Sequence, residues 1–168
     1  RSAVTATFPA RFILLLAANP CPCGKFAGRG RACECSSLQI RRYLAKLSGP
    51  LLDRIDLRLK VEAPTRAELS SDSSLTSAVM RERVTKARLI SEARFASESF
   101  KINSQIPPNL LRDRFRPRKD ALALLHTLLD SESITARGFH RAIRVAWSIA
   151  DLSGVSTPGK EEVERALE

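Results

Sequence analysis

The sequence predicts a mainly α protein with a small, truncated α/β part, a partial sheet, at its N-terminal end. Strand-like patterns occur only in residues 1–65, whereas the hydrophobic pattern of residues 66–168 has a helical period. A hydrophobic content of 43% over 168 residues is sufficient for a core. We therefore expect two domains, residues 1–65 with the α/β part and residues 66–168 with the helices.

Neither a membrane span nor a secretion signal is present in the sequence. The longest apolar block, from Phe12 to Ala18, is far shorter than the roughly 20 residues that cross a bilayer. The N-terminus lacks the apolar stretch of a secretion signal and begins with neither Met nor a helix cap. These features predict a soluble, cytoplasmic chain with no membrane partner, cut from a longer protein.

The N-terminal part contains two predicted strands. The run from Arg11 to Ala18 is apolar and is ended by Asn19 and Pro20, which is typical of a strand buried on both faces. Asn19 then lies at the carboxyl end of that strand, where open α/β sheets place their ligands. The alternation from Leu57 to Val61 predicts an edge strand. Other patterns predict a loop over 21–36, a helix over 38–47, a short helix over 51–53 capped by Ser48, and a linker over 63–74.

Beyond the linker the pattern predicts helices at about 76–97, 109–113, 119–131, 136–152 and 158–167. The last begins with Thr157 as its cap and Pro158 at the first helical position. The helix over 136–152 has an apolar stripe of Phe139, Ile143, Ala146, Trp147 and Ala150. Arg137, Arg141 and Arg144 lie on its other side. Arginines near a helix start oppose the macrodipole, so either a solvated face or a bound phosphate accounts for them.

The positive charge is concentrated in the first part of the chain. The net charge is +10, and residues 1–66 hold 12 Lys and Arg against 4 Asp and Glu. Such an excess favours a polyanionic partner, nucleic acid or nucleotide phosphate, because neutralised phosphates release their counterions. Solubility alone is the other interpretation.

Four cysteines form the pattern C-x-C-x9-C-x-C, with Cys21, Cys23, Cys33 and Cys35 in two close pairs. Two such pairs bring four thiolates to one tetrahedral metal, and sulfur ligands favour zinc. The spacing differs from the usual C-x2-C, and reduced thiols of a surface loop or disulfides are the alternatives. His126 and His140 have no partner at ligand spacing, and we assign them no metal or catalytic role.

Several strings resemble the ComM/YifB family of magnesium-chelatase-like AAA+ ATPases. They are FPARF at 8–12, NPCPCG at 19–24, SGPLLDRIDL at 48–57 and TARGFHRAIRVAWSIADL at 135–152, in family order over nearly the whole chain. The resemblance implies a C-terminal fragment of a AAA+ module, with the helical part as its lid. It also implies a ring, usually a hexamer, that binds ATP and Mg²⁺ between neighbouring subunits.

The resemblance also implies roles for individual residues. Asn19 resembles the sensor-1 residue that orients the attacking water, and Arg54 resembles the arginine finger delivered to a neighbour's γ-phosphate. Arg137 resembles sensor 2, which reaches the nucleotide of its own subunit. Arg141 and Arg144 stay candidates for contacts with phosphate, DNA or another subunit. The alternatives are an asparagine that merely ends a strand and an Arg54 paired with Asp53 or Asp56.

The phosphate-binding loop of ATPases, G-x-x-x-x-G-K-[ST], does not occur in the sequence. We therefore expect this fragment to lack ATPase activity alone and to function as part of a full-length ATPase. Family membership implies a helicase-like motor on DNA, single-stranded in our prediction, that promotes branch migration during transformation and recombination. A chelatase-type motor that remodels a protein is the alternative, and a stand-alone zinc-binding DNA module is a third hypothesis.

Overall fold

The computed structural model describes residues 5–7, 12–26, 32–70 and 75–168. These residues form two compact units, Arg1–Ser48 and Gly49–Glu168, while the division at residues 65 and 66 stays a prediction. The first unit contains α1 (Ser37–Leu44). The second contains α2 (Gly49–Leu52), α3 (Arg66–Ser70), α4 (Ser77–Arg94), a 3₁₀ turn (Asn103–Gln105), α5 (Pro108–Arg112), α6 (Lys119–Asp130), α7 (Ala136–Ser153) and α8 (Lys160–Leu167). None of the helices described is long and apolar enough to cross a membrane.

The predicted partial sheet is absent from the described residues, and this part of the fold prediction was wrong. The segments expected as strands, residues 12–18 and 57–61, have no regular secondary structure. Their apolar side chains are exposed, with Leu15 at 89% and Val61 at 91%. A strand buried on both faces requires neighbouring strands, and the described residues contain none. Arg11, at the start of the first predicted strand, lies outside the described residues.

Helix α7 lies at the centre of the second unit and packs against α4, α5, α6 and α8. The apolar stripe that the sequence predicted is buried along its whole length. Thr135 caps its N-terminus, since the Thr135 hydroxyl accepts a hydrogen bond from the Gly138 N–H at 3.0 Å. Gly154 ends it in the left-handed conformation, with φ of 71°.

Aromatic side chains from α7, from the residue that follows α4 and from the connections around α5 form the centre of the core. Phe95 packs against Phe100 and Phe115, with ring centroids 4.9 and 5.3 Å apart. Phe115 lies edge-on to Trp147 at 6.3 Å, and the Trp147 indole N–H donates to the Phe115 carbonyl at 2.8 Å. This cluster fixes α7 against the C-terminal end of α4.

A buried polar network ties the same two helices together. Arg94, in the last turn of α4, forms an ion pair with Asp151 of α7, whose side chain is 3% exposed. Asn103 donates to Asp151 Oδ2 at 2.8 Å and accepts from Arg94 at 3.0 Å. The guanidinium of Arg94 also lies over the Trp147 ring at 4.1 Å. Each charge of the pair therefore has several polar partners inside the core.

Two sequence predictions about helix ends were wrong. Helix α8 is capped by Gly159 instead of Thr157, and the Gly159 N–H donates to Glu162 Oε2 at 2.7 Å. Pro158 precedes the helix, and its carbonyl accepts from the Arg118 N–H at 2.9 Å, which joins the starts of α6 and α8.

Within the predicted linker, residues 66–70 form the short helix α3, and residues 71–74 lie outside the described chain.

Candidate functional site

Three arginines of the second unit line one open cavity of about 650 Å³. Arg54 and Arg58 follow the short helix α2, and Arg137 lies in the first turn of α7. Asp53 and Thr135 complete the polar lining, and the remaining lining residues are Gly49, Pro50 and Leu52. The family resemblance assigned Arg54 to a neighbour's nucleotide and Arg137 to the nucleotide of its own subunit. Both residues line the same cavity.

The turn after α2 orders the residues that line the cavity. The main-chain N–H of Asp53 donates to the Gly49 carbonyl at 2.9 Å, and that of Arg54 donates to Leu51 at 3.0 Å. The guanidinium of Arg54 donates from Nη1 to the Pro50 carbonyl at 2.6 Å and is otherwise exposed. Among the described residues Arg54 forms no ion pair with Asp53 or Asp56, and the carboxylate of Asp53 pairs with Arg137 instead.

Asp53 connects the α2 turn to the N-terminus of α7. Its Oδ2 lies 3.3 Å from Nη1 of Arg137, and its Oδ1 accepts from the Thr135 hydroxyl at 3.1 Å. The main-chain carbonyl of Asp53 accepts from Arg141 Nη1 at 3.4 Å. Side chain and main chain of Asp53 thus contact three residues at and after the N-terminus of α7, Thr135, Arg137 and Arg141.

Arg141 and Arg144 have main-chain partners in their own unit. Arg141 Nη1 donates to the Ile55 carbonyl at 3.1 Å. Arg144 donates from Nε and Nη2 to the Ile106 carbonyl, at 3.0 and 2.7 Å. Burial lowers the pKa of Arg144, and the charge of Asp56 opposes that shift. Both guanidinium groups therefore fix connecting segments against α7, and the cavity lining contains neither.

The four cysteines come together in the first unit. Their sulfur atoms all lie within 4.8 Å of one another, and Cys21 Sγ is 3.3 Å from Cys23 and 3.7 Å from Cys33. All four are free thiols. Four thiolates around one zinc ion lie about 3.8 Å apart, given Zn–S bonds of about 2.3 Å. The cluster has the size of a tetrahedral zinc site.

The loop geometry supports the cysteine cluster. Gly24, with φ of 75°, closes a tight turn in which its N–H donates to the Cys21 carbonyl at 3.0 Å. A main-chain hydrogen bond from Lys25, followed by one from the Cys21 thiol, lowers the pKa of Cys23 to about 6. Main-chain donors to sulfur are a usual feature of thiolate metal sites.

Asn19 lies just before this turn, in a segment without regular structure. The prediction that it ends a strand was wrong, because that strand is absent from the described chain. Its amide packs against the turn, 3.8 Å from the place where a side chain on Gly24 would begin. A sensor-1 role for Asn19 stays a prediction.

Sequence reasoning missed Asp53, Thr135 and Arg58 as parts of the cavity. One signal pointed towards an acidic partner: the first turn of α7 contains Arg137 but no acidic residue. A helix N-terminus carries partial positive charge, so a carboxylate from elsewhere is favoured there. Which of the carboxylates supplies it depends on tertiary structure, and the sequence pattern does not specify that.

Comparisons with known proteins agree with this architecture. The family model described as magnesium chelatase, subunit ChlI C-terminal, matches residues 74–168, and the model described as magnesium chelatase, subunit ChlI, matches residues 1–69. The chain therefore belongs to the magnesium-chelatase family, which is of the AAA+ ATPase type.

Within that family the chain is similar to ComM and YifB. It is 39% identical over 149 residues to competence protein ComM of Haemophilus influenzae, covering 88% of this chain and 28% of the relative. It is 32% identical over 170 residues to YifB of Escherichia coli, with 99% and 32% covered. A protein of Mycobacterium tuberculosis is 43% identical over 162 residues, with 96% and 32% covered. The chain spans about a third of the length of these relatives.

Proposed function

We propose that this chain is the nucleotide-sensing part of a AAA+ ATPase that works as a ring, a hexamer in the family's usual form. The observation that carries this proposal is the cavity where Arg54, Arg58 and Arg137 converge. Guanidinium groups bind phosphate oxygens with paired hydrogen bonds. Three such positive groups complement the negative charge of the terminal phosphates of a nucleoside triphosphate. ATP and Mg²⁺ bind to the parent protein, and the phosphate loop and magnesium ligands come from outside this chain.

Arg54 acts in this proposal as the arginine finger for a neighbour's γ-phosphate. Phosphoryl transfer spreads negative charge over the γ-phosphate oxygens, and a guanidinium placed there stabilises that charge. Arg137 lines the same cavity, so we assign it to the same phosphate group as Arg54 instead of the nucleotide of its own subunit. Asn19 keeps its proposed role of orienting the attacking water. Arg141 supports the site through its hydrogen bond to the Asp53 carbonyl, whereas Arg144 holds the Ile106 segment against α7.

Arginine substitutions in the full-length protein test this assignment. Arg54→Ala should lower kcat for ATP hydrolysis by roughly 10³-fold or more, with ATP binding nearly unchanged. Mixing it with subunits that lack the phosphate-loop lysine should restore activity, since each variant supplies what the other lacks. Arg165→Ala, an exposed arginine of α8, is the matched control. Parental activity in an assembled Arg54→Ala ring would refute the finger.

The proposed substrate of the motor is DNA, single-stranded at the point of contact, with branch migration during transformation and recombination as its role. The basic excess of residues 1–66 and the similarity to a competence protein support this. Binding of single-stranded DNA by the full-length protein should weaken steeply as salt rises. Absence of binding at low salt would favour the alternative, a chelatase-type motor that remodels a protein partner.

We further propose that Cys21, Cys23, Cys33 and Cys35 hold a structural zinc ion. Four mutually adjacent free thiols, a glycine turn and main-chain donors to sulfur support a closed tetrahedral site. Freshly reduced protein should contain one zinc per chain, and cobalt substitution should give the absorption bands of a tetrahedral thiolate complex. Cys33→Ser should lose both signals, and Ser36→Ala, in the same loop, should keep them. Protein without stoichiometric zinc would exclude the site.

A further inference from the structure

Asp53 is the acidic residue in the lining of the arginine cavity. Both of its carboxylate oxygens have partners on the α7 start, Thr135 at Oδ1 and Arg137 at Oδ2. Its side chain is 28% exposed, against 55% for Arg137. The carboxylate is therefore the less exposed partner of the ion pair.

The contact leaves most of the Arg137 guanidinium available to a ligand. It uses Nη1, whereas a guanidinium has five N–H donors in a planar fork. Because the fork is rigid, a contact at one nitrogen restricts the directions in which the others can point. In the described structure, Asp53 thus orients Arg137 without occupying the donors that a phosphate needs.

The charge of Asp53 also matters for the three arginines together. Like charges in one cavity repel each other, and a carboxylate among them offsets part of that repulsion before an anion arrives. Arg54 is the next residue in the chain and shares the turn that Asp53 fixes. One side chain therefore sets the position of Arg137 and of the segment that carries Arg54.

We infer that Asp53 is a positioning residue for phosphate recognition: it holds Arg137 in the direction in which it contacts the nucleotide and couples the start of α7 to the Arg54 segment. This inference rests on the proposed function and deepens it. Asp53 acts through Arg137, so its contribution should disappear when Arg137 is removed.

A double-mutant cycle in the full-length protein tests the inference. Asp53→Asn keeps the volume and the acceptor for Thr135 but removes the charge facing Arg137. It should raise KM for ATP roughly tenfold, the effect of losing one charge-assisted hydrogen bond. In an Arg137→Ala background the same substitution should change KM less than twofold. Asp130→Asn, which removes an exposed carboxylate from the end of α6, is the control.

The outcomes separate the two proposals. If Arg137→Ala raises KM but Asp53→Asn leaves it unchanged or lowers it, the positioning role is wrong and the nucleotide role of Arg137 stands. Equal effects of Asp53→Asn with and without Arg137 also overturn it, because they indicate a general structural effect. If Arg137→Ala itself leaves KM and ATP affinity unchanged, the proposed function of the cavity fails, and the inference fails with it.

Discussion

Arg137 Nη1 lies 3.3 Å from Asp53 Oδ2, and this contact joins segments that are 84 residues apart in the chain. Arg137 lies in the first turn of α7, where the helix macrodipole is positive and which contains no acidic residue. From the sequence alone, this unfavourable position is accounted for by a solvated face or by a bound phosphate. Asp53 supplies a negative charge to the same place within the protein. The helix start is therefore stable before any ligand binds, and a phosphate adds to an existing arrangement.

Thr135 supports this arrangement through one hydroxyl with two hydrogen bonds. It accepts from the Gly138 N–H at 3.0 Å and donates to Asp53 at 3.1 Å. Thr135→Ala should lower the free energy of unfolding by about 1–2 kcal/mol, since it removes a helix cap and a charged partner. Thr135→Ser should recover most of the loss. Urea unfolding of this chain, followed by the fluorescence of its single tryptophan, Trp147, measures both.

The control for Thr135 is Thr127, an exposed residue of α6 whose hydroxyl donates to the Ala123 carbonyl of the same helix. Thr127→Ala should change the free energy of unfolding by less than about 0.5 kcal/mol. Equal losses for the two alanine variants would show that the cap and the Asp53 contact do not stabilise the unit.

Arg144 should act on stability, because its guanidinium is committed to the carbonyl of Ile106, a fully buried residue. Arg144→Ala should cost about 1.5–3 kcal/mol, the range for hydrogen bonds to a charged group. Arg144→Lys should cost less, since one of the two hydrogen bonds is retained. Arg165→Ala, at an exposed position of α8, is the matched control. If Arg144→Ala leaves the stability of this chain unchanged but abolishes DNA or nucleotide binding by the full-length protein, the result would instead support a direct contact of Arg144 with the ligand.

Asp151 should be among the most sensitive positions of the second unit. Removal of one partner of a buried ion pair leaves the other charge uncompensated, at a cost of about 3–5 kcal/mol. Asp151→Ala leaves Arg94 in that state, and we expect unfolding in urea at a much lower concentration. Glu82→Gln breaks an exposed ion pair with Lys86 and should have almost no effect. Similar midpoints for the two variants would contradict a stabilising role for the network.

The elements that could be predicted from the sequence are those with local causes. The apolar stripe of α7 has a period set by helix geometry, and the stripe is buried as predicted. Thr135 and Gly154, at the two ends of α7, have the residue types that favour such caps. The spacing of Cys21, Cys23, Cys33 and Cys35 predicted a cluster, and the four sulfur atoms do lie together.

The elements that could not be predicted depend on distant partners. Residues 12–18 have the composition of a strand, but strand hydrogen bonds require another chain segment beside them. The cap of α8 was misplaced because Glu162, three residues after Gly159, provides an acceptor that competes with Thr157. The contacts of Asp53 with Thr135 and Arg137 span more than 80 residues and follow from packing. The local sequence around Asp53 or around Arg137 therefore does not specify them.

His140 should make the stability of the second unit depend on pH. Burial, together with the charges of Arg112 and Arg144, lowers the pKa of His140 below its ordinary 6.5. The unfolded chain therefore takes up a proton at a pH where the folded chain does not, so stability falls as the pH drops below about 6.5. In His140→Gln the free energy of unfolding should decline less between pH 7 and the folded-state pKa than in the parent. Urea titrations at several pH values, followed by Trp147 fluorescence, measure the difference. His126→Gln, at an exposed position, is the control. If the free energy of unfolding changes with pH equally in the parent and in His140→Gln, this assignment is contradicted.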